Sequence, residues 1–150
     1  MEIMDIKTQL ANDLKDAMRS RDDVRKRTVR MALSAIKLSE IDKGSPLDES
    51  AQMAVIQKEV KSRNESIADA QRAGRPDLTA AAQAEIVVLE GYLPKPFTPE
   101  ELEALVRQAI TEAGASSPAE MGKVMKILTP RLQGRATGAQ VSQRVRQLLQ

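Results

Sequence analysis

Leu93-Pro94-Lys95-Pro96-Phe97 decides how this chain is divided. Two prolines in three residues remove the N–H groups a helix needs and bias the residues before them toward extended backbone. Segment 94–97 is therefore read as a Pro-rich linker. It separates an N-terminal lobe, 1–93, from a smaller C-terminal lobe, 98–150.

Working back from the prolines, a helix is expected over roughly 78–92, with Ile86, Leu89 and Leu93 pointing inward. Gly74-Arg75-Pro76-Asp77 breaks it from a long helical pattern over about 48–73, whose buried candidates are Val55, Ile56, Val60, Ile67 and Ala70. Within that pattern Glu59 and Arg63 lie four apart in the favourable order. Lys43-Gly44-Ser45-Pro46 closes an earlier helix, about 24–41, which Asp22-Asp23 caps. Its apolar residues cover a wide arc, Val24, Met31, Ala35 and Leu38 on one side and Val29, Leu33 and Ile36 on another, so it should form the centre of its lobe. Ile3, Ile6, Leu10, Leu14 and Met18 mark one face of a first helix, and residues 1–5 are expected to fray. Four helices joined by short turns read as a bundle-like lobe.

Beyond the prolines come three shorter helices, each with a start signal. Thr98-Pro99-Glu100-Glu101 and Ser117-Pro118-Ala119-Glu120 read as capping boxes with Pro at the first helical position, and Thr137-Gly138-Ala139-Gln140 repeats the box with Gln. Their buried faces should be Leu102, Leu105, Val106 and Ile110; then Met121, Val124, Met125 and Leu128; then Val141, Val145 and Leu148. The expected class is all-α, a four-helix lobe followed by a three-helix lobe.

Composition agrees. There is one Tyr, one Phe and no Trp, and the apolar residues are mostly helix-favouring. Cys and His are absent, which removes disulfides, thiolate nucleophiles, imidazole bases and Cys/His zinc sites. There is no P-loop, Rossmann fingerprint, HExxH or nucleophile elbow. No catalytic residue, metal or cofactor is expected. Residues 1–14 carry acidic side chains and no apolar core, unlike a signal peptide, and no apolar run approaches a membrane span. A cytoplasmic protein without a membrane partner is expected.

Charge is uneven. Residues 121–150 hold Lys123, Lys126, Arg131, Arg135, Arg144 and Arg146 and no acid. Lys123 and Lys126 fall away from the apolar face of their helix. Gly134-Arg135-Ala136-Thr137-Gly138 leads into the last helix, whose N–H groups suit a phosphate. This set is either a contact surface for an RNA backbone or an ordinary cap turn with solvated cations. With Phe97 the only aromatic of the C-terminal lobe, and at its edge, base stacking is not expected; recognition would rest on charge and RNA shape. The Lys26/Arg30/Lys37 stripe, with Arg19, Arg21 and Arg25 nearby, is better read as a solvated face offset by Asp16, Asp22, Asp23 and Glu40. Asp22-Asp23 and Glu100-Glu101 stand at helix starts, where capping explains them.

The runs Leu14-Lys15-Asp16-Ala17-Met18, Glu59-Val60-Lys61-Ser62-Arg63-Asn64-Glu65-Ser66-Ile67, Gly74-Arg75-Pro76-Asp77-Leu78, Leu89-Glu90-Gly91-Tyr92-Leu93-Pro94, Met121-Gly122-Lys123-Val124-Met125-Lys126 and Gly134-Arg135-Ala136-Thr137-Gly138 together resemble the YqeY-like family, in order and over nearly the whole chain. The resemblance implies a C-terminal lobe similar to the tail of the GatB subunit of the tRNA-dependent amidotransferase, where the tail helps to hold tRNA. It also implies a family label of carbon–nitrogen ligase activity with glutamine as amido-N donor, which these residues do not support chemically. The family usually has Asp where this chain has Thr137; both cap helices well. Two functions follow as expectations. One is a non-catalytic tRNA- or RNA-binding accessory module using Lys123, Lys126, Arg131, Gly134, Arg135, Gly138 and Arg144. The other is a helical adaptor for a protein partner in tRNA charging or modification.

Overall fold

A computed structural model describes residues 5–150. The expectations for Ile3 and for fraying over 1–4 lie outside the described residues. Among those described there are seven α-helices and no strand, so the protein is all-α. Backbone contacts divide it into two compact units that part between Leu93 and Pro94.

The first unit holds α1 (Ile6–Ser20), α2 (Asp23–Lys43), α3 (Glu49–Arg72) and α4 (Pro76–Glu90). Three of these starts are capped by aspartate. The Asp5, Asp22 and Asp48 carboxylates accept the N–H of Thr8, Arg25 and Ala51 at 2.8, 3.1 and 2.8 Å. Gly44 ends α2 at φ +80°, the left-handed stop that glycine adopts without strain. The fourth helix begins at Pro76, two residues before the expected start, because proline is itself a favoured first residue.

Within this unit α2 packs against all three other helices. Ile6, Leu10, Val29, Ala32, Leu33, Ile36, Ile56 and Leu89 form the core. Only one of the two apolar arcs on α2 is used: Met31 and Leu38 are exposed, as is Met18 on α1. A polar hub ties the helix ends together. Gln52, buried, accepts the Lys7 N–H at 3.0 Å and donates to the Leu47 carbonyl at 3.0 Å. Glu40 accepts from the Lys7 ammonium at 2.6 Å and from the Leu47 N–H at 3.0 Å. Those two bonds, the Lys7 one first, hold the Glu40 carboxyl below its ordinary range.

One buried group has no such compensation. The Thr28 hydroxyl on α2 is fully buried and meets no hydrogen-bond partner. Burying an unpaired hydroxyl costs free energy that a methyl of the same shape does not. Thr28→Val should therefore stabilise the first unit by about 1 kcal/mol, read as a higher urea midpoint at unchanged slope. An unchanged or lower midpoint would show that the hydroxyl is satisfied.

The second unit holds α5 (Pro99–Ala113), α6 (Met121–Leu128) and α7 (Gly138–Leu149), each packed on the other two. Val106, Ala109, Val124, Leu128, Leu132, Val141, Val145 and Leu149 make its core. Thr98 and Thr137 form complete capping boxes with Glu101 and Gln140. Ser117 does not. Residues Pro118–Glu120 wind as a 3₁₀ turn, and the Glu120 N–H that the box would satisfy donates to the Ser117 carbonyl at 3.0 Å. Segment 94–97, read as a linker, clusters with this unit. The Phe97 N–H donates to the Arg135 carbonyl at 3.1 Å, and Arg135 Nε donates to the Lys95 carbonyl at 2.9 Å. No described helix is long and apolar enough to cross a membrane.

Candidate nucleic-acid interface

The basic residues of segment 121–150 fall into two groups. Lys123 and Lys126 sit three apart on the exposed side of α6, adjacent on the helix surface. Among the described residues no carboxylate lies within ion-pair distance of either, nor of Arg146 on α7. The other three arginines are engaged. Arg131 pairs with Glu112 at 2.6 Å, Arg135 with Glu101 at 3.2 Å, and Arg144 with Glu103 at 3.3 Å. The Glu112 bond holds the Arg131 guanidinium more firmly charged than usual. Glu101 is held below its ordinary range first by the Thr98 N–H it accepts and then by Arg135.

The two glycines have backbone roles that differ. Leu132-Gln133-Gly134-Arg135 is a tight turn, closed by the Arg135 N–H donating to the Leu132 carbonyl at 2.8 Å. Both central residues have positive φ, +49° at Gln133 and +75° at Gly134, the pattern of a primed turn that glycine fills best. Gly138 is the first residue of α7, and a Cβ there would meet nothing within 4 Å. Gly134→Ala should thus destabilise the second unit by about 1 kcal/mol, whereas Gly138→Ala should be nearly neutral. Thermal melts of both variants check this; equal melting would mean the 133–134 turn carries no strain.

Arg135 is the hub of a second arrangement. Its guanidinium carbon lies 4.1 Å from the centroid of the Phe97 ring. Beside that stack a cleft of about 410 Å³ opens between the start of α5, the turn at 135–136 and α7. Phe97, Pro99 and Leu102 supply apolar walls, and Gln140, Gln143, Arg144 and Gln147 come from α7. At about 100° per residue those four positions share one face of the helix. Sequence reasoning took Gln140 only as a cap partner and passed over Gln143 and Gln147, because a polar helix face carries no motif. It also placed Phe97 at the edge of its lobe, without its partner 38 residues on.

The basic stripe of the first unit is compensated only in part: among the described residues no carboxylate lies within ion-pair distance of Arg30 or Lys37. Arg19 pairs with Asp16, Arg25 with Asp13 and Lys26 with Asp23. Asp13 also accepts a hydrogen bond from the Tyr92 hydroxyl. Burial, then that bond, pushes the Tyr92 phenol well above its usual range. Neither Asp22-Asp23 nor Glu100-Glu101 forms part of a metal cluster, and no group of three potential metal ligands occurs among the described residues.

A family model described as Yqey-like protein matches residues 7–149. The chain belongs to the YqeY-like family. Curated relatives of this YqeY-like chain carry the name altered inheritance of mitochondria protein 41, mitochondrial. The one from Lachancea thermotolerans is 38% identical over 77% of this chain and 63% of its own length. That from Kluyveromyces lactis is 41% identical over 73% and 60%, and that from Pyrenophora tritici-repentis is 33% identical over 94% and 79%. The chain spans about three fifths of the length of the first two.

These names correct one expectation. The relatives are named as mitochondrial proteins, which overturns the reading of a cytoplasmic chain. That reading rested on the lack of an apolar core near the N-terminus, which tests only for secretory export. Mitochondrial transit peptides are amphipathic and Arg-rich, so the criterion does not address them.

Proposed function

We propose that this YqeY-like chain is a non-catalytic RNA-binding accessory module, with tRNA as the partner that the resemblance to the GatB tail implies. The observation that carries the reading is the pair Lys123 and Lys126. They lie side by side on an exposed helix face, without a carboxylate partner, in a stretch that holds no acid. Flexible ammonium groups of this kind contact phosphates as point charges. Arg131, Arg135 and Arg144 contribute less, because each must exchange a carboxylate for a phosphate.

The test is fluorescence anisotropy with total tRNA across a salt series. Binding should fall with salt at a slope of about −2 in log K against log salt, the signature of roughly two phosphates. Lys123→Glu/Lys126→Glu should weaken it at least about tenfold and flatten the slope, with helicity unchanged. No binding at low salt, or equal binding by the variant, removes the RNA reading.

A second reading, an adaptor for a protein of tRNA charging or modification, is favoured by α2. Met31, Leu38 and Ile41 lie along one stripe of that helix and are 48%, 60% and 75% exposed. Stable capture of one protein from nuclease-treated, high-salt lysate, lost in Leu38→Glu/Ile41→Glu, would support it. Capture that survives the double change would not.

A further inference from the structure

We infer that the cleft beside Phe97 and Arg135 takes a single unpaired nucleobase of the bound RNA. The inference rests on the RNA reading above and deepens it. Its starting point is the charge balance of the cleft. Both of its arginines are already paired, Arg135 with Glu101 and Arg144 with Glu103, a carboxylate that Arg107 shares. A phosphate there would have to displace a carboxylate. A neutral ligand would not.

What the cleft offers a neutral ligand is a flat platform and hydrogen-bond donors. The platform is the Arg135 guanidinium stacked over the Phe97 ring, with a third of the arginine side chain exposed. Unstacked bases rest on such planes. The donors come from α7. Gln140 uses its carbonyl oxygen to accept the Thr137 N–H, and Gln147 uses its own to accept from Arg144 Nη1. Each therefore keeps an NH₂ group to give. Gln143, exposed on the same face, keeps both halves of its amide. A planar ring rich in carbonyl and ring-nitrogen acceptors matches this set, and the edge of a nucleobase is such a ring. The volume lies within the range of small-molecule sites, roughly 300–1,000 Å³. The expectation that base stacking is absent came from counting aromatics. One aromatic suffices when a guanidinium extends it.

The experiment compares two probes on the full chain, a ten-nucleotide single-stranded RNA of mixed sequence and a ribose–phosphate chain of the same length without bases. The wild-type protein should bind the RNA at least about tenfold more tightly than the abasic chain. Gln143→Ala/Gln147→Ala should abolish that preference while leaving abasic binding unchanged; both positions are exposed and alanine keeps the helix. Lys123→Glu/Lys126→Glu should weaken both probes equally. Equal binding of the two probes by wild type, or a preference that survives the double glutamine change, would overturn the base site and leave the RNA reading standing. Failure of both probes to bind would remove both readings.

Discussion

Arg63→Ala should lower the unfolding free energy of the first unit by about 3–5 kcal/mol, the largest loss of any single change at a charged residue here. Arg63 lies in the middle of α3 with only 7% of its side chain exposed. Its guanidinium donates to Glu59 at 2.6 Å, to Glu85 on α4 at 3.0 Å and to the Glu59 carbonyl at 3.2 Å, and it meets the Met31 sulfur on α2 at 3.7 Å. Glu85 in turn pairs with Arg27 of α2. One cation thus binds three helices. Removing it strands the Glu59 carboxylate and leaves Glu85 with Arg27 alone, at 23% and 17% exposure, and a stranded, mostly buried charge is what makes such a deletion costly. Urea unfolding of Arg63→Ala measures the loss. The control is Arg63→Met with Glu59→Gln and Glu85→Leu, which removes charge from all three positions. That variant should recover most of the stability, because the penalty lies in the uncompensated charge. If the triple variant is as unstable as Arg63→Ala, geometry rather than charge balance holds these helices.

The same residue shows where sequence reading stops. Glu59 and Arg63 were legible as a helical pair because their spacing is local. Glu85 was not, because it lies 22 residues on and reaches Arg63 only through the packing of α3 on α4. Met31 and Leu38 were misplaced for a related reason. An apolar arc on an amphipathic helix marks where a core can form, and α2 has two such arcs. Which one is buried depends on the docking of the other helices, information absent from a single helix's periodicity. Caps fared better, since a cap is a contact between residues three apart. Of the four expected caps, Asp22, Thr98 and Thr137 hold, each by a bond to the N3 backbone, while Ser117 yields to a 3₁₀ turn.

At the candidate interface, exposure of Lys123 and Lys126 followed from the apolar face opposite them. The engagement of Arg131, Arg135 and Arg144 did not, because Glu112, Glu101 and Glu103 all lie on or near α5, at least 19 residues earlier. A basic stretch without acids in sequence is not a basic surface in space. The glutamine face of α7 became visible only when the turn at 135 brought Phe97 beside it.

Leu128→Ala should cost the second unit about 2–5 kcal/mol and unfold it while the first unit stays folded. Leu128 is fully buried among Val106, Val124, Val141 and Val145. That core is built from small aliphatic side chains and has no fully buried aromatic to spare. A domain of about 60 residues has only some 3–5 kcal/mol in reserve, so the deletion is comparable with the whole. Because the two units have separate cores, amide NMR signals of residues 94–150 should collapse while those up to 93 keep their dispersion. Leu128→Met, which conserves volume, should cost under about 1.5 kcal/mol and keep both sets. Loss of the entire spectrum in Leu128→Ala would mean that the first unit depends on the second. The contrast with the lysine variant then isolates the source of binding. Leu128→Ala should lose RNA affinity together with helicity, because α6 no longer presents Lys123 and Lys126. Lys123→Glu/Lys126→Glu should lose affinity with helicity intact. If both variants bind as wild type does, the interface is not on this unit, and the exposed apolar stripe of α2 becomes the surface to pursue.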